Sequence, residues 1–173
     1  IYTGEDTLSL HDALPIFIPT FIKYKVGFIN NSQAKEILFC YFFKGMSIDK
    51  FNDLGLRFNA EINKVINENT FNKFVWHKAE GHKTVIVSAS FENWILPWAK
   101  AAGFEKVIAT KAEVASGVLT GKYATENCNG PEKVKRLLQE FPERNQYVLH
   151  AYGDSAGDKE LLEEADYPNF LGK

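Results

Sequence analysis

VLHAYGDSAGDKELLEEADY, residues 148–167, reads as an apolar strand, a turn of small residues and then a helix. Two carboxylates, Asp154 and Asp158, stand four apart in that turn. Asp154 falls at the strand tip. Ser155, Ala156 and Gly157 allow close approach, so Asp158 can turn back toward the same point. Carboxylate oxygens at a strand end suit Mg²⁺, a hard ion that keeps several waters and needs one or two protein carboxylates. An Asx-turn with a helix N-cap is the local alternative. One Asp would satisfy that alternative, and the D-x-x-x-D spacing fits it less well.

The rest of the second half alternates in the same way. KTVIVSAS, residues 83–90, is a β-branched run apolar on both faces, which predicts a buried parallel strand. FENWILPWAKAAGF predicts a helix kinked near Pro97. KVIAT is a second short strand, and SGVLTGKY a turn with an edge or hairpin strand. GPEKVKRLLQEF is a helix with Val134, Leu137, Leu138 and Phe141 on one face. Strand and helix in alternation predict an α/β layer with a parallel sheet. The first half reads helical instead. SIDKFNDLGLRFNAEINKVI has an N-cap at Ser47 and an apolar face of Phe51, Leu54, Phe58, Ile62 and Val65. Asn67 to Thr70 reads as a polar connection, and TFNKFVWHKAEGH as a helix stopped by Gly81.

Ligands of open α/β sheets bind at the carboxyl ends of the strands, and two more polar features fall there. Ser88 follows Val85-Ile86-Val87, where the strand should end. Its hydroxyl, with the N–H groups of Ala89 and Ser90 opening a helix, would make an anion site. The alternative is a serine that caps its own backbone. Lys133 lies in the first turn of a helix, where a cation opposes the dipole. Such a lysine either answers a nearby negative charge or is simply solvated beside Glu132.

Composition narrows the classes. The chain has 173 residues, 45% hydrophobic, with 20 basic and 22 acidic residues. That length suits one domain or a domain with a small insert. No basic run suits a nucleic-acid backbone. Cys40 and Cys128 have no CxxC partner, which predicts free thiols in a reducing cytoplasm. ALPIFIPTFIKYKVGFI, residues 13–29, is broken by Pro15, Pro19, Lys23 and Lys25. It is expected to pack in the core or cap, with peripheral association at a membrane surface as the alternative. His77, His82 and His150 show no metal-ligand spacing, and His150 is expected to pack beneath the site.

A strand-end Ser, a helix-start Lys and a strand-end D-x-x-x-D, in that order, resemble motifs two to four of the haloacid dehalogenase-like hydrolases. WHKAEGHKTVIVSASFENWILPWA, GFEKVIAT, GVLTGKY, NCNGPEKVKRL and AYGDSAGDKELLEEADY are closest in wording to the phosphoserine-phosphatase-like subfamily IB. YFFKGMSIDKFNDLG is similar to that branch's helical cap. The resemblance covers about residues 33–167. It implies an α/β fold: a Rossmann-like parallel sheet flanked by helices, with a helical cap inserted near the N-terminus. The implied partition is a cap over 16–70 and a core over 71–173, with 1–15 set apart. The implied activity is Mg²⁺-dependent hydrolysis of phosphomonoesters through a phosphoaspartate. Ser88, the Ala89 N–H and Lys133 would hold phosphate, and Lys133 would also neutralise the nucleophile. Asp154 would ligate the metal, with Asp158 in support directly or through a water. The substrate would be a small phosphorylated molecule, phosphoserine-like or a lipid-linked phosphate, with no nucleic acid involved.

The family's first motif, D-x-D-G-T, supplies the nucleophile and the acid/base, and this sequence lacks it. The closest register sets TGEDTLSLHDAL against it, so that Thr3 takes the nucleophile position, Glu5 the acid/base and Asp6 the glycine. Thr3 forms no acyl phosphate, so this copy is expected to be inactive. SLHDALPI also reads like a translated library adapter, and the chain is expected to be an N-terminally incomplete copy. Lacking the central first strand, it would leave two strand edges unpaired. Two other readings stay open: a non-catalytic phosphate-binding pseudoenzyme, and an artefact whose locus encodes the motif upstream. Lys44 is a candidate cap contact to substrate.

Overall fold

The computed structural model describes residues 10–172, with side chains from residue 14. In chain order the elements are α1 (Leu10–Lys25), α2 (Asn31–Phe43), α3 (Ile48–Val65), α4 (Glu68–Ala79), β1 (Val85–Phe91), α5 (Glu92–Ala102), β2 (Lys106–Thr110), β3 (Ala112–Ala115), β4 (Val118–Tyr123), α6 (Pro131–Glu140), β5 (His150–Gly153), α7 (Lys159–Glu164) and β6 (Tyr167–Phe170). Contacts gather them into two compact units. One takes residues through 54 together with 112–124, and the other takes 55–111 with 125 onward. These cuts follow packing. The cap-and-core division at residue 70 is a division by family resemblance.

In the first unit, α2 starts at a capping box: Asn30 Oδ1 accepts from the Gln33 N–H while Gln33 Oε1 accepts from the Asn30 N–H, both at 2.9 Å. Ser47 caps α3 as expected, with Oγ accepting from the Lys50 N–H at 3.3 Å. Phe39 and Phe51 are buried, their rings 6.0 Å apart. β3 and β4 pair antiparallel, so the expected edge strand has a partner that the short AEVA run did not announce. The Tyr123 N–H donates to Glu36, and burial pushes the Tyr123 hydroxyl up to about 12. The segment over 13–29 does not pack as core: Phe17, Ile18, Phe21 and Ile22 of α1 are each about half exposed. Among the described residues, no helix is long and apolar enough to cross a membrane.

The second unit holds two parallel strand pairs. Val85, Ile86 and Val87 of β1 stand opposite Lys106, Val107 and Ile108 of β2. His150 to Gly153 of β5 stand opposite Tyr167 to Phe170 of β6. Among the described residues the two pairs are not hydrogen-bonded to each other. β1 is therefore half-buried, not fully buried as its two-sided apolar pattern predicts. α6 and α7 cover one side through Leu137 and Leu161, in a cluster with Ile108, Ala151 and the fully buried Cys128. α5 packs Ala99 against Val107 and Ala109 on the other, and Phe74 of α4 stacks on Phe104 at 3.9 Å.

Three local expectations are corrected. Asn67 to Thr70 is no loose connection: Asn67 caps α4, with Oδ1 accepting from the Thr70 N–H at 3.1 Å. The face expected along α3 is buried only at its start, since Phe58 and Val65 are exposed. β1 runs on past Ser88 to Phe91, with a register irregularity after Ser88. Ala89 and Ser90 therefore lie in the strand and do not open α5, whose N-cap is Phe91.

Candidate functional site

The centre of the site is a buried ion pair. Lys133 comes from the first turn of α6, which Gly130 and Pro131 begin. Gly130 has φ +60° and ψ −133°, backbone that favours glycine. Lys133 Nζ donates to Asp158 Oδ1 at 2.5 Å and to the Val87 carbonyl at 3.1 Å. Both residues are under a tenth exposed. The lysine that opposes its own helix dipole thus answers a carboxylate, as its awkward place in the sequence suggests.

The turn after β5 wraps Asp158. Its Oδ2 accepts from the Ser155 hydroxyl at 2.6 Å, the Ser155 N–H at 3.1 Å and the Asp154 N–H at 3.3 Å. This needs Gly153 beneath it: a Cβ there would stand 2.5 Å from the Asp158 Cβ. Burial pushes the Asp158 carboxyl up, but the bonds from Lys133 and Ser155 outweigh it and hold it below the usual carboxylate range.

Lys133 touches β1 at Val87 and the turn after β5 at Asp158, so the middle of β1 and the carboxyl end of β5 converge on one point. Ser88 and Asp154 are neighbours in sequence of groups bound there. The Ser88 Oγ accepts from the Ser90 N–H at 3.1 Å, a local turn that leaves its own proton to donate. The Ala89 carbonyl accepts from Thr110 Oγ1 at 3.3 Å. Asp154 is exposed, and its carboxylate has no hydrogen bond or ion pair among the described residues. Asp158 is committed to Lys133 and Ser155. Asp154 is therefore the carboxylate here available to a hard cation. No group of three or more His, Cys, Asp or Glu among the described residues could hold a metal. A Mg²⁺ ion on Asp154 would rely on waters and on ligands outside that set. Thr3, Glu5 and Asp6 lie outside the described residues.

Sequence spacing missed a second cluster. His77 of α4 places Nδ1 2.9 Å from His82 Nδ1 and Nε2 2.9 Å from the Tyr152 hydroxyl. The His150 ring lies 4.9 Å from that of His77 and stacks on Tyr167 at 4.5 Å. His77 and His82 meet across the turn that ends α4, and only the fold brings His150 to them. Burial, then His150, His82 and Lys73, lower the His77 pKa from its ordinary 6.5. A base whose folded pKa is depressed keeps its contribution above the unfolded value and loses it as pH falls through the folded one. Melting temperature should therefore drop as pH falls below about 6.5, and His77→Gln should flatten that limb. An unchanged slope in the variant would remove His77 as its source.

Two parallel strand pairs bridged by a buried lysine and aspartate define an α/β protein, a class in which ligands bind at the carboxyl edge of the sheet. A family model described as haloacid dehalogenase-like hydrolase matches residues 4–163, and the chain belongs to that family. Over 106 residues it is 38% identical to protein CicA of Caulobacter vibrioides, across 57% of this chain and 47% of that one. The chain thus spans about half the length of that relative. A solved protein of unknown function from Bordetella pertussis Tohama I superposes with a TM-score of 0.75 at 21% identity, over 92% of this chain and 74% of that one. A probable phosphoserine phosphatase from Vibrio cholerae superposes at 0.62 and 17% identity, over 87% of this chain and 45% of that one. At such identities these two likenesses speak for the fold, which is phosphoserine-phosphatase-like.

Proposed function

We propose that this chain carries the phosphate-binding half of a Mg²⁺-dependent phosphomonoester hydrolase, and that this copy does not turn over. The observation that carries the reading is the buried Lys133–Asp158 pair, which ties the middle of β1 to the turn after β5. A cation held there can face a phosphoryl group without moving, which is how charge developing in transfer is stabilised. Ser88 would donate its hydroxyl proton to a phosphate oxygen, joined by the Ala89 N–H. Asp154 would hold Mg²⁺, and Asp158 would support it by fixing Lys133 and the turn. The metal, when bound, would neutralise charge and orient the phosphoryl group. The cap, 16–70 in this reading, would select a small phosphorylated substrate. In a relative that keeps the first motif, an aspartate at the position of Thr3 would form the phosphoaspartate.

The other reading, phosphate binding without catalysis in the living protein, is favoured by Thr3 itself. One titration and one assay separate them. Inorganic phosphate with Mg²⁺ should bind the chain, and Asp154→Asn should weaken it about tenfold, the scale of one charge-assisted contact. Thr3→Asp with Glu5→Asp should gain turnover of p-nitrophenyl phosphate if the chain descends from a hydrolase. Phosphate that binds equally well to Asp154→Asn would sink the assignment of the metal. Long-read sequencing across the 5′ end of the locus tests whether Thr3 and Glu5 are genomic.

A further inference from the structure

Away from Lys133 and Asp158, His77 and His82 bring two ring nitrogens together, their Nδ1 atoms 2.9 Å apart. Residues five apart on a regular helix point to different faces, and the turn that ends α4 corrects this. Gly81 takes φ +75°. The His82 N–H donates back to the His77 carbonyl at 3.0 Å, which folds His82 over the last helical turn. We infer that the pair is a metal clip: two imidazoles at the carboxyl end of α4 that take one borderline divalent ion, Cu²⁺ ahead of Ni²⁺ and Zn²⁺ in affinity.

The spacing suits one ion. Metal–imidazole bonds are about 2.0–2.1 Å, so two nitrogens on one ion lie about 2.9 Å apart at a right angle and about 3.3 Å apart at the tetrahedral angle. The ring centres are 5.2 Å apart, so the nitrogens face each other, and a pivot of the rings aims both lone pairs at a shared ion. His77 is buried, while His82 is exposed, which gives its ring room to pivot and the ion a way in. His77 Nε2 lies 2.9 Å from the Tyr152 hydroxyl oxygen, and an outer partner of this kind fixes the orientation and tautomer of a ligating ring. The carboxyl end of a helix carries negative partial charge and favours a cation. Burial, then His150, His82 and Lys73, holds His77 toward the neutral form that ligates.

The protons balance. At 2.9 Å one proton lies between the two nitrogens, because two bare lone pairs or two N–H groups would repel. The ion takes its place, and that proton moves to Nε2 of the same ring, so two neutral imidazoles bind with none lost. Among the described residues no group of three His, Cys, Asp or Glu forms a metal site, so water fills the remaining positions and the ion exchanges readily. The clip is built within one short segment, and it does not depend on the phosphate reading.

The test is a titration of the full chain with Cu²⁺, in excess Mg²⁺ to keep oxygen sites filled. The Trp76 ring lies 4.7 Å from that of His77 and 5.7 Å from that of His82, close enough for a bound Cu²⁺ to quench it. Fluorescence should fall saturably at one ion per chain. Trp76→Phe should remove the quenched share while electron paramagnetic resonance still shows bound copper, split by two nitrogens. His82→Ala should weaken binding at least about tenfold and melt as the parent does, since the side chain is exposed. His150→Ala should bind as the parent does. The nitrogen splitting is read on the parent chain, so it decides even where a variant melts early. Equal affinity in His82→Ala, splitting by one nitrogen, or loss of quenching in His150→Ala would overturn the inference. Quenching that never saturates would mean adventitious copper only, and would overturn it as well.

Discussion

Lys133→Met should cost about 3–5 kcal/mol of folding free energy, the usual cost of removing one partner of a buried ion pair. In a chain of this size that lowers the melting temperature by roughly 10 °C. The substitution leaves the Asp158 carboxylate buried without its cation, and it also takes the donor from the Val87 carbonyl. Asp158→Leu added on the same chain should recover only part of the loss. Three donors, the Asp154 and Ser155 N–H groups and the Ser155 hydroxyl, then lose their acceptor. The acid limb should move as well. Asp158, held below 3.8, contributes stability above that value and loses it as pH falls through the depressed one. Without Lys133 that loss begins at higher pH. A melting temperature within about 2 °C of the parent would show that the pair is not the structural centre described here.

Gly153→Ala should damage both the fold of the second unit and its site. Its Cβ would meet Asp158 Cβ at 2.5 Å and Cγ at 2.9 Å, far inside contact distance. Neither atom is the tip of a mobile side chain. Either Asp158 leaves Lys133, or β5 shifts away from the turn. Overpacking of this kind costs about 1–3 kcal/mol, and phosphate binding should disappear with it. Gly157→Ala makes the internal comparison. Its Cβ would approach Asn129 Oδ1 at 2.2 Å, the end of a side chain that can rotate aside. Its cost should be well below that of Gly153→Ala, as read by thermal melts of the three proteins side by side. Equal costs would mean that the turn yields as easily at Asp158 as at Asn129.

Much of the site could be read from local chemistry. Lys133 announced a partner by standing against its helix dipole, but the D-x-x-x-D spacing pointed Asp158 toward Asp154 and a metal, and only the structure pairs it with Lys133. The β-branched runs at 85–87 and 106–110 and the amphipathic 131–140 formed the elements their periods predict. What could not be read depends on distance in the chain. β3 and β6 are too short and too polar to declare themselves, and YPNF carries a proline that argues against a strand until an edge position permits it. Ser88 looked like a strand end because small polar residues follow it, yet pairing with β2 carries β1 three residues further. His77 and His82 meet locally, five residues apart across the turn after α4, whereas His150 joins them only because β5 brings its ring to His77. The division of labour between Asp154 and Asp158 needed the structure: four residues apart, one is bonded at both oxygens and the other stands open.

The Lys133–Asp158 pair also has a consequence for descent. Each residue is tolerable in the interior only in the company of the other, so neither can drift alone without the fold suffering. Selection for a folded protein is then enough to keep both, whatever has become of the chemistry. A lineage that lost its nucleophile would go on carrying the lysine and the aspartate of its ancestor, and their persistence beside Thr3 is what folding alone demands.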